Sequence, residues 1–132
     1  QFRVAITPSA SGNTIICVLF IGYQCSNGTI GGITPVYYDT VTNSAVSMSS
    51  SCNSGSFTTA ANVLSNNTHN EDLRNNTGNT GWFNVTKIGK HQTTNTNAAS
   101  IRMYSRNQSG SFQLGDNQQA CSMTVFEIEG SV

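Results

Sequence analysis

The chain has 132 residues, six basic and six acidic side chains, zero formal net charge and only 9% charged residues. That balance excludes nucleic-acid and anionic-membrane binding, which draw on clustered Lys and Arg. The longest apolar run, 15–21, is far shorter than the roughly 20 residues of a membrane-spanning helix. Nearly half of the residues are Asn, Ser, Thr or Gly, where a typical soluble chain spends about a quarter of its positions on charge. Such a neutral, hydrogen-bonding surface suits an extracellular, virion or pilus setting and is a good partner for sugar hydroxyls.

The pattern is all-β, with alternating or β-branched segments and no helical period. Residues 2–7 alternate and stop at Pro8, ahead of a turn over 9–13. Residues 14–23 form a long apolar strand, buried on both faces or crossing between sheets. Asn27-Gly28 and Gly31-Gly32 are turn signals. Segments 35–42 and 45–48 read as weaker, edge-like strands, since Pro35 cannot donate to a ladder. Residues 56–64 supply one or two strands, with a helical turn possible at Ala60-Ala61. Residues 65–81 form a long polar loop of the kind that is functional or mobile in compact domains. Strands at 82–88, 98–104, 111–114 and 120–129 follow, and 91–97 forms a second polar loop. No linker, repeat or composition shift divides the chain, so 1–132 is one domain. No signal-peptide pattern is present, and Gln1 reads as a mature N-terminus or a cut boundary.

Four cysteines, Cys17, Cys25, Cys52 and Cys121, allow two disulfides in three connectivities. Cys25 and Cys52 lie in polar, Gly-containing segments, and a bridge between them is the favoured pairing. Cys17 and Cys121 lie in apolar runs and either pair with each other or remain small buried thiols. The absence of a Cys-x-x-Cys pair argues against a zinc site, and an oxidising compartment follows from the expected bridge.

Short strands punctuated by turns every 8–12 residues predict an antiparallel β-sandwich of jelly-roll type, with the two terminal strands side by side. In the last strand Met123, Val125 and Glu127 face one way and Thr124, Phe126 and Ile128 the other. Cover for the second apolar face is expected from other copies, as a homotrimer. The ending Gly110-Ser111-Phe112-Gln113-Leu114-Gly115-Asp116, followed by Cys121-Ser122-Met123-Thr124-Val125-Phe126-Glu127-Ile128, resembles the final strands of trimeric jelly-roll tips. Those are found in phage fibres and in tumour-necrosis-factor and complement-type domains. Gln24-Cys25-Ser26-Asn27-Gly28-Thr29 is similar to cysteine-containing adhesin tips of bacterial pilins. Both resemblances imply attachment to a cell-surface receptor, commonly a glycan, and neither transfers a set of site residues.

Catalytic signatures are weak. His69-Asn70-Glu71-Asp72 gathers an imidazole and two carboxylates but matches no metal-binding or hydrolase spacing, so it reads as a solvated loop. Asp116-Asn117 reads as a turn. Glu127 and Glu129, about 7 Å apart along one strand face, are spaced like a glycosidase pair, yet their place near the chain's end reads as a solvated strand terminus. No Gly-x-Ser-x-Gly elbow or phosphate loop occurs. The chain is therefore read as a binding domain and not an enzyme, with no metal or cofactor. Aromatics carry the binding prediction: Trp82, which is either a platform or a core residue, and Tyr37-Tyr38, whose adjacent rings must point to opposite faces. Asn67, Asn70, Asn76, Asn79 and His91 are the polar partners that would read a glycan or lipopolysaccharide at a fibre, pilus or virion tip. The alternatives are a structural capsid, fibre or pilus subunit without ligand, and a secreted glycan-processing enzyme. Sequons at Asn27, Asn66, Asn75, Asn84 and Asn107 are no more than this composition produces by chance, and matter only on a eukaryotic secretory route.

Overall fold

The computed structural model describes residues 3–48, 56–57, 73–75, 77–115 and 120–132. It is an all-β sandwich of two antiparallel sheets. The ten strands are β1 (Arg3–Ile6), β2 (Thr14–Cys25), β3 (Thr29–Asp39), β4 (Ser44–Ser47), β5 (Ser56–Phe57), β6 (Leu73–Asn75), β7 (Gly81–Gln92), β8 (Ala99–Ser109), β9 (Phe112–Leu114) and β10 (Cys121–Ile128). The first sheet runs β1-β8-β3-β4-β5, with β6 also on β3, and the second runs β10-β2-β7, with β9 also on β2.

β2 organises the core. Its odd positions Ile15, Cys17, Leu19, Ile21, Tyr23 and Cys25 point between the sheets, where they meet Ile33, Tyr37, Ala99 and Ile101 of the facing sheet. Its even positions Ile16, Val18 and Phe20 lie on the outer face and stay half-buried, so among the described residues the expected cover on both faces is only partly supplied. On the outer face of the other sheet Val36 and Ala45 form a second small cluster with Tyr38 and Tyr104.

Several sequence expectations are corrected. The chain ends do not pair: β1 lies on β8 and β10 on β2. Among the described strands β2 pairs with β7 and β3 with β8, so successive strands take successive partners. Gly31-Gly32 is not a turn but part of β3, beside a register shift between Ile30 and Gly31. β3 is an interior strand rather than an edge, despite Pro35. The reason is local: Met48 N–H donates to Pro35 O at 2.9 Å, and the reciprocal bond that proline cannot make is replaced across the sandwich. The Met48 carbonyl accepts from Lys90 N–H of β7 at 2.8 Å instead. Gly89 permits that approach, because a Cβ there would lie 2.6 Å from Met48 Cβ and 2.7 Å from Pro35 Cγ.

Cys25 differs from expectation, while Cys17 and Cys121 take the free-thiol alternative. Cys25 is buried and free, as are buried Cys17 and half-buried Cys121, and Cys52 lies outside the described residues. Burial pushes the Cys25 thiol up, against hydrogen bonds with Thr29 and Asn75, and pushes Cys17 up to about 11. A Cys17–Cys121 bridge is precluded by register, since Cys17 faces Val125 and Cys121 faces Ile21. Four residues of strand, about 13 Å, separate them, beyond disulfide reach.

Candidate functional site

Connections gather at the two ends of the sandwich. At one end are 26–28, 77–80 and 110–111, and at the other are 7–13, 40–43, 93–98 and the chain's last residues. Trp82 belongs to the first end. It starts the outward-facing set of β7, is 40% exposed, and pairs with Gln24 of β2, which in turn pairs with Gln113 of β9. Side chains in register on one face stand about 4.8 Å apart, so Gln113, Gln24 and Trp82 form one row, two amides and an indole. Gly22, two residues along β2 on the same face, pairs with exposed Asn84 and leaves its own position beside Gln24 without a side chain. Neither glutamine amide is committed to a hydrogen bond with a described residue.

A cavity of about 350 Å³ adjoins the row, lined by Gln24, Ser26, Thr80, Ser111 and Gln113 among others. Its floor is held by a small hydroxyl network. Ser26 N–H donates to Ser111 O (3.0 Å), Ser111 N–H donates back to Ser26 Oγ (3.1 Å), and Thr29 Oγ1 donates to Ser111 O (2.9 Å). Asn75, almost fully buried, fixes the approach to Trp82. Its Nδ2 donates to Cys25 O (2.9 Å) and Asn79 O (2.7 Å), while its Oδ1 accepts from Thr77 N–H (3.0 Å) and Thr77 Oγ1 (2.7 Å). With both amide protons bound inside the fold, Asn75 cannot also carry a glycan, whatever its sequon implies.

The other predicted site residues separate. Asn79 lies near Trp82, exposed, and Asn67, Asn70 and Asn76 lie outside the described residues. The His69–Asp72 cluster and Asp116-Asn117 lie outside them as well. Tyr37 and Tyr38 do point to opposite faces. Tyr38 lies outward, its hydroxyl donating to Asn43 Oδ1 at 3.1 Å and its ring covered by the Arg102 guanidinium at 3.6 Å. Tyr37 is inward and 4% exposed. His91, expected on a loop, is instead an inward, half-buried residue of β7 and stacks on Tyr37 with ring centroids 4.1 Å apart. Nine residues of strand, about 30 Å, part His91 from Trp82, so the two belong to opposite ends and not to one site.

Glu127 is tied into the fold. Glu127 is not a solvated terminus, because its Oε1 accepts from Ser9 N–H (2.8 Å), Ser9 Oγ (2.9 Å) and Asn13 Nδ2 (2.7 Å). The Asn13 bond, chiefly, holds the carboxyl below its ordinary range, which is the wrong direction for a general acid. Gln24, Gln113 and Ser111 are the site residues that sequence reasoning missed. The period-two alternation of β2 and β9 was the available signal for the two glutamines. Among the described residues no group of three or more His, Cys, Asp or Glu gathers as a metal site. No protein-family model, curated protein or solved structure matches the chain.

Proposed function

We propose that this is an extracellular attachment domain that binds a glycan, bacterial lipopolysaccharide included, at the Trp82–Gln24–Gln113 row. One observation carries the reading: an indole 40% exposed on the outer face of a sheet, in register with two amides that no described residue engages. An aromatic face takes the C–H side of a pyranose, amides take its hydroxyls, and the absence of a charged side chain in the row favours a neutral saccharide segment. Binding rather than catalysis is supported by Glu127, whose carboxyl is held below its ordinary range by three bonds to Oε1. A shallow row of this kind gains strength from multivalency, and a homotrimer is part of the proposal. The outer face of β10-β2-β7 supports it, with Ile88 at 63% and Phe126 at 43% exposure beside Ile16, Val18 and Phe20. The same face also favours the second reading, a particle or fibre subunit that assembles through this sheet without a ligand. In either case the setting is a virion, fibre, pilus or cell surface.

A glycan array that includes bacterial lipopolysaccharides, read with wild type and Trp82→Ala, tests the proposal. Selective binding lost in Trp82→Ala, with circular dichroism unchanged, is the expected result. Binding retained in that variant removes the row as the site, and a fully negative array from the folded protein leaves the subunit reading.

A further inference from the structure

We propose that the cleft between the sheets at the opposite end is a second binding site, built around the Tyr37–His91 stack, that takes one neutral, monosaccharide-sized polyol. The inference does not rest on the Trp82 row.

The cleft has a volume of about 340 Å³, at the lower end of the roughly 300–1,000 Å³ of ligand sites, which suits a single sugar ring and not an oligosaccharide. Its walls come from both sheets: Tyr37 of β3 and Ser44 of β4 on one side, His91 of β7 on the other. Thr42 and Thr94 contribute from the two adjoining connections. Those connections are locked together by Asp39, which is buried. Its Oδ1 accepts from Val41 N–H (2.8 Å) and Thr42 N–H (2.9 Å), and its Oδ2 accepts from Asn97 Nδ2 (2.8 Å) and Asn95 Nδ2 (3.3 Å). Thr40 adds bonds from N–H and Oγ1 to Ala98 O at 3.0 and 2.6 Å. The rim of the cleft is thus preformed by two loops that hold each other.

The orphan hydroxyl is the second observation. Tyr37 Oη is the one buried side-chain polar atom among the described residues without a hydrogen-bond partner. Burial, then the charges of Asp39 and Glu127, keep that phenol protonated, so it is a donor with nothing to donate to. Phenylalanine would fill the same stack, so the hydroxyl adds nothing to the packing itself. A buried donor left unmade is costly; the hydroxyl is closed to solvent in the free protein, so a ligand oxygen relieves the cost by entering beside the ring as the stack shifts.

The chemical class follows from what the lining can offer. Asp39 is its only ionised group, and four donors already occupy the carboxylate, so its oxygens are taken up before a cation could be coordinated and no positive charge is present to hold an anion. Burial lowers the His91 pKa, leaving a neutral imidazole with one donor and one acceptor. Thr42 and Ser44 share one hydrogen bond at 2.8 Å and keep spare capacity, as does Thr94. Neutral hydroxyls, an imidazole and an aromatic edge match a polyhydroxylated ring.

The test is an NMR titration of the full chain with free glucose, galactose, mannose and N-acetylglucosamine, and with glucuronate as the charged control, observing the His91 imidazole. Saturable His91 shifts with at least one neutral sugar, at concentrations up to about 50 mM, and none with glucuronate, are expected. Tyr37→Phe should leave the melting temperature unchanged or higher while weakening binding roughly tenfold, the worth of one hydrogen bond in a dry site. Trp82→Ala should leave the His91 response intact, which separates this site from the first. No His91 response to any sugar overturns the proposal, as does a response undiminished in Tyr37→Phe. A Tyr37→Phe protein that melts well below wild type also overturns it, since the hydroxyl would then have its partner inside the fold.

Discussion

Replacing Asp39 by Asn is the most informative single perturbation of this fold, because the two carboxylate oxygens hold two backbone N–H groups and two side-chain amides from separate loops. Asparagine keeps the shape but loses the charge and turns one acceptor into a donor, which then faces two donors. A hydrogen bond to a charged group contributes about 1.5–3 kcal/mol. The two backbone donors sit in an exposed turn and recover water, so the four losses do not add. We expect a cost of about 3 kcal/mol at neutral pH. For 132 residues the unfolding entropy is about 0.28 kcal/mol per degree, so the melting temperature should fall by about 10 °C. Burial alone would raise the Asp39 pKa, but the bonds from Thr42, Asn97, Val41 and Asn95 outweigh it and bring the pKa below its ordinary value. A carboxylate depressed in the folded state stabilises fully above its unfolded pKa and loses that contribution as pH falls through the folded one. The gap between wild type and Asp39→Asn should therefore be widest at pH 7 and should narrow below about pH 4. Thermal unfolding followed by circular dichroism at pH 7 and at about pH 3 measures both. Equal melting temperatures at pH 7, or a gap that survives acid, would refute the assignment of Asp39 as the tie between these loops.

Gly89→Ala places a methyl group 2.6–2.9 Å from Met48 Cβ, Pro35 Cγ and Met48 O and should destabilise by about 2–3 kcal/mol, read from the urea midpoint at unchanged slope. Asn75→Ala strips four hydrogen bonds from a buried site and should cost about 2–3 kcal/mol. Its Trp82 fluorescence should also shift, because the 77–80 turn leading to the indole is released. Glu127→Gln should loosen the 7–13 connection, raising hydrogen exchange at the Ser9 amide. Acidification of wild type should do the same, since a depressed carboxyl loses its contribution as pH falls.

The all-β class and most strand positions were legible because alternation is local: Tyr37 against Tyr38, and Met123 and Val125 against Thr124 and Phe126, each face as a period of two requires. Trp82 was legible as a candidate, and the sheet leaves it outward. What escaped is non-local. Pro35 reads as an edge residue until Lys90, from the other sheet, satisfies the carbonyl that proline leaves without a donor. His91 reads as part of a polar loop because Gln92, Thr93 and Thr94 follow it, while its place in β7 is fixed by pairing with Ile15. Asp39, Asn75 and Glu127 look like ordinary loop or terminal residues in a chain so rich in polar side chains. Only partners up to 118 positions away turn them into ties between separate segments. Their composition carries no period, so no pattern could single them out.

The interlocked wiring also dictates when the molecule can acquire its shape. Cys17 pairs with Gly89 and Tyr37 with Ile101, over sixty positions along the chain in each case. The first half of the polypeptide therefore emerges during synthesis with the apolar face of β2 unmatched, and neither sheet closes until β7 and β8 arrive. Loop closure over such spans precedes any compensating contact, which predicts folding on the millisecond-to-second scale of other sandwiches. The neutral polar residues between the strands are then more than a surface. They keep a chain that waits for its partners from finding the wrong ones.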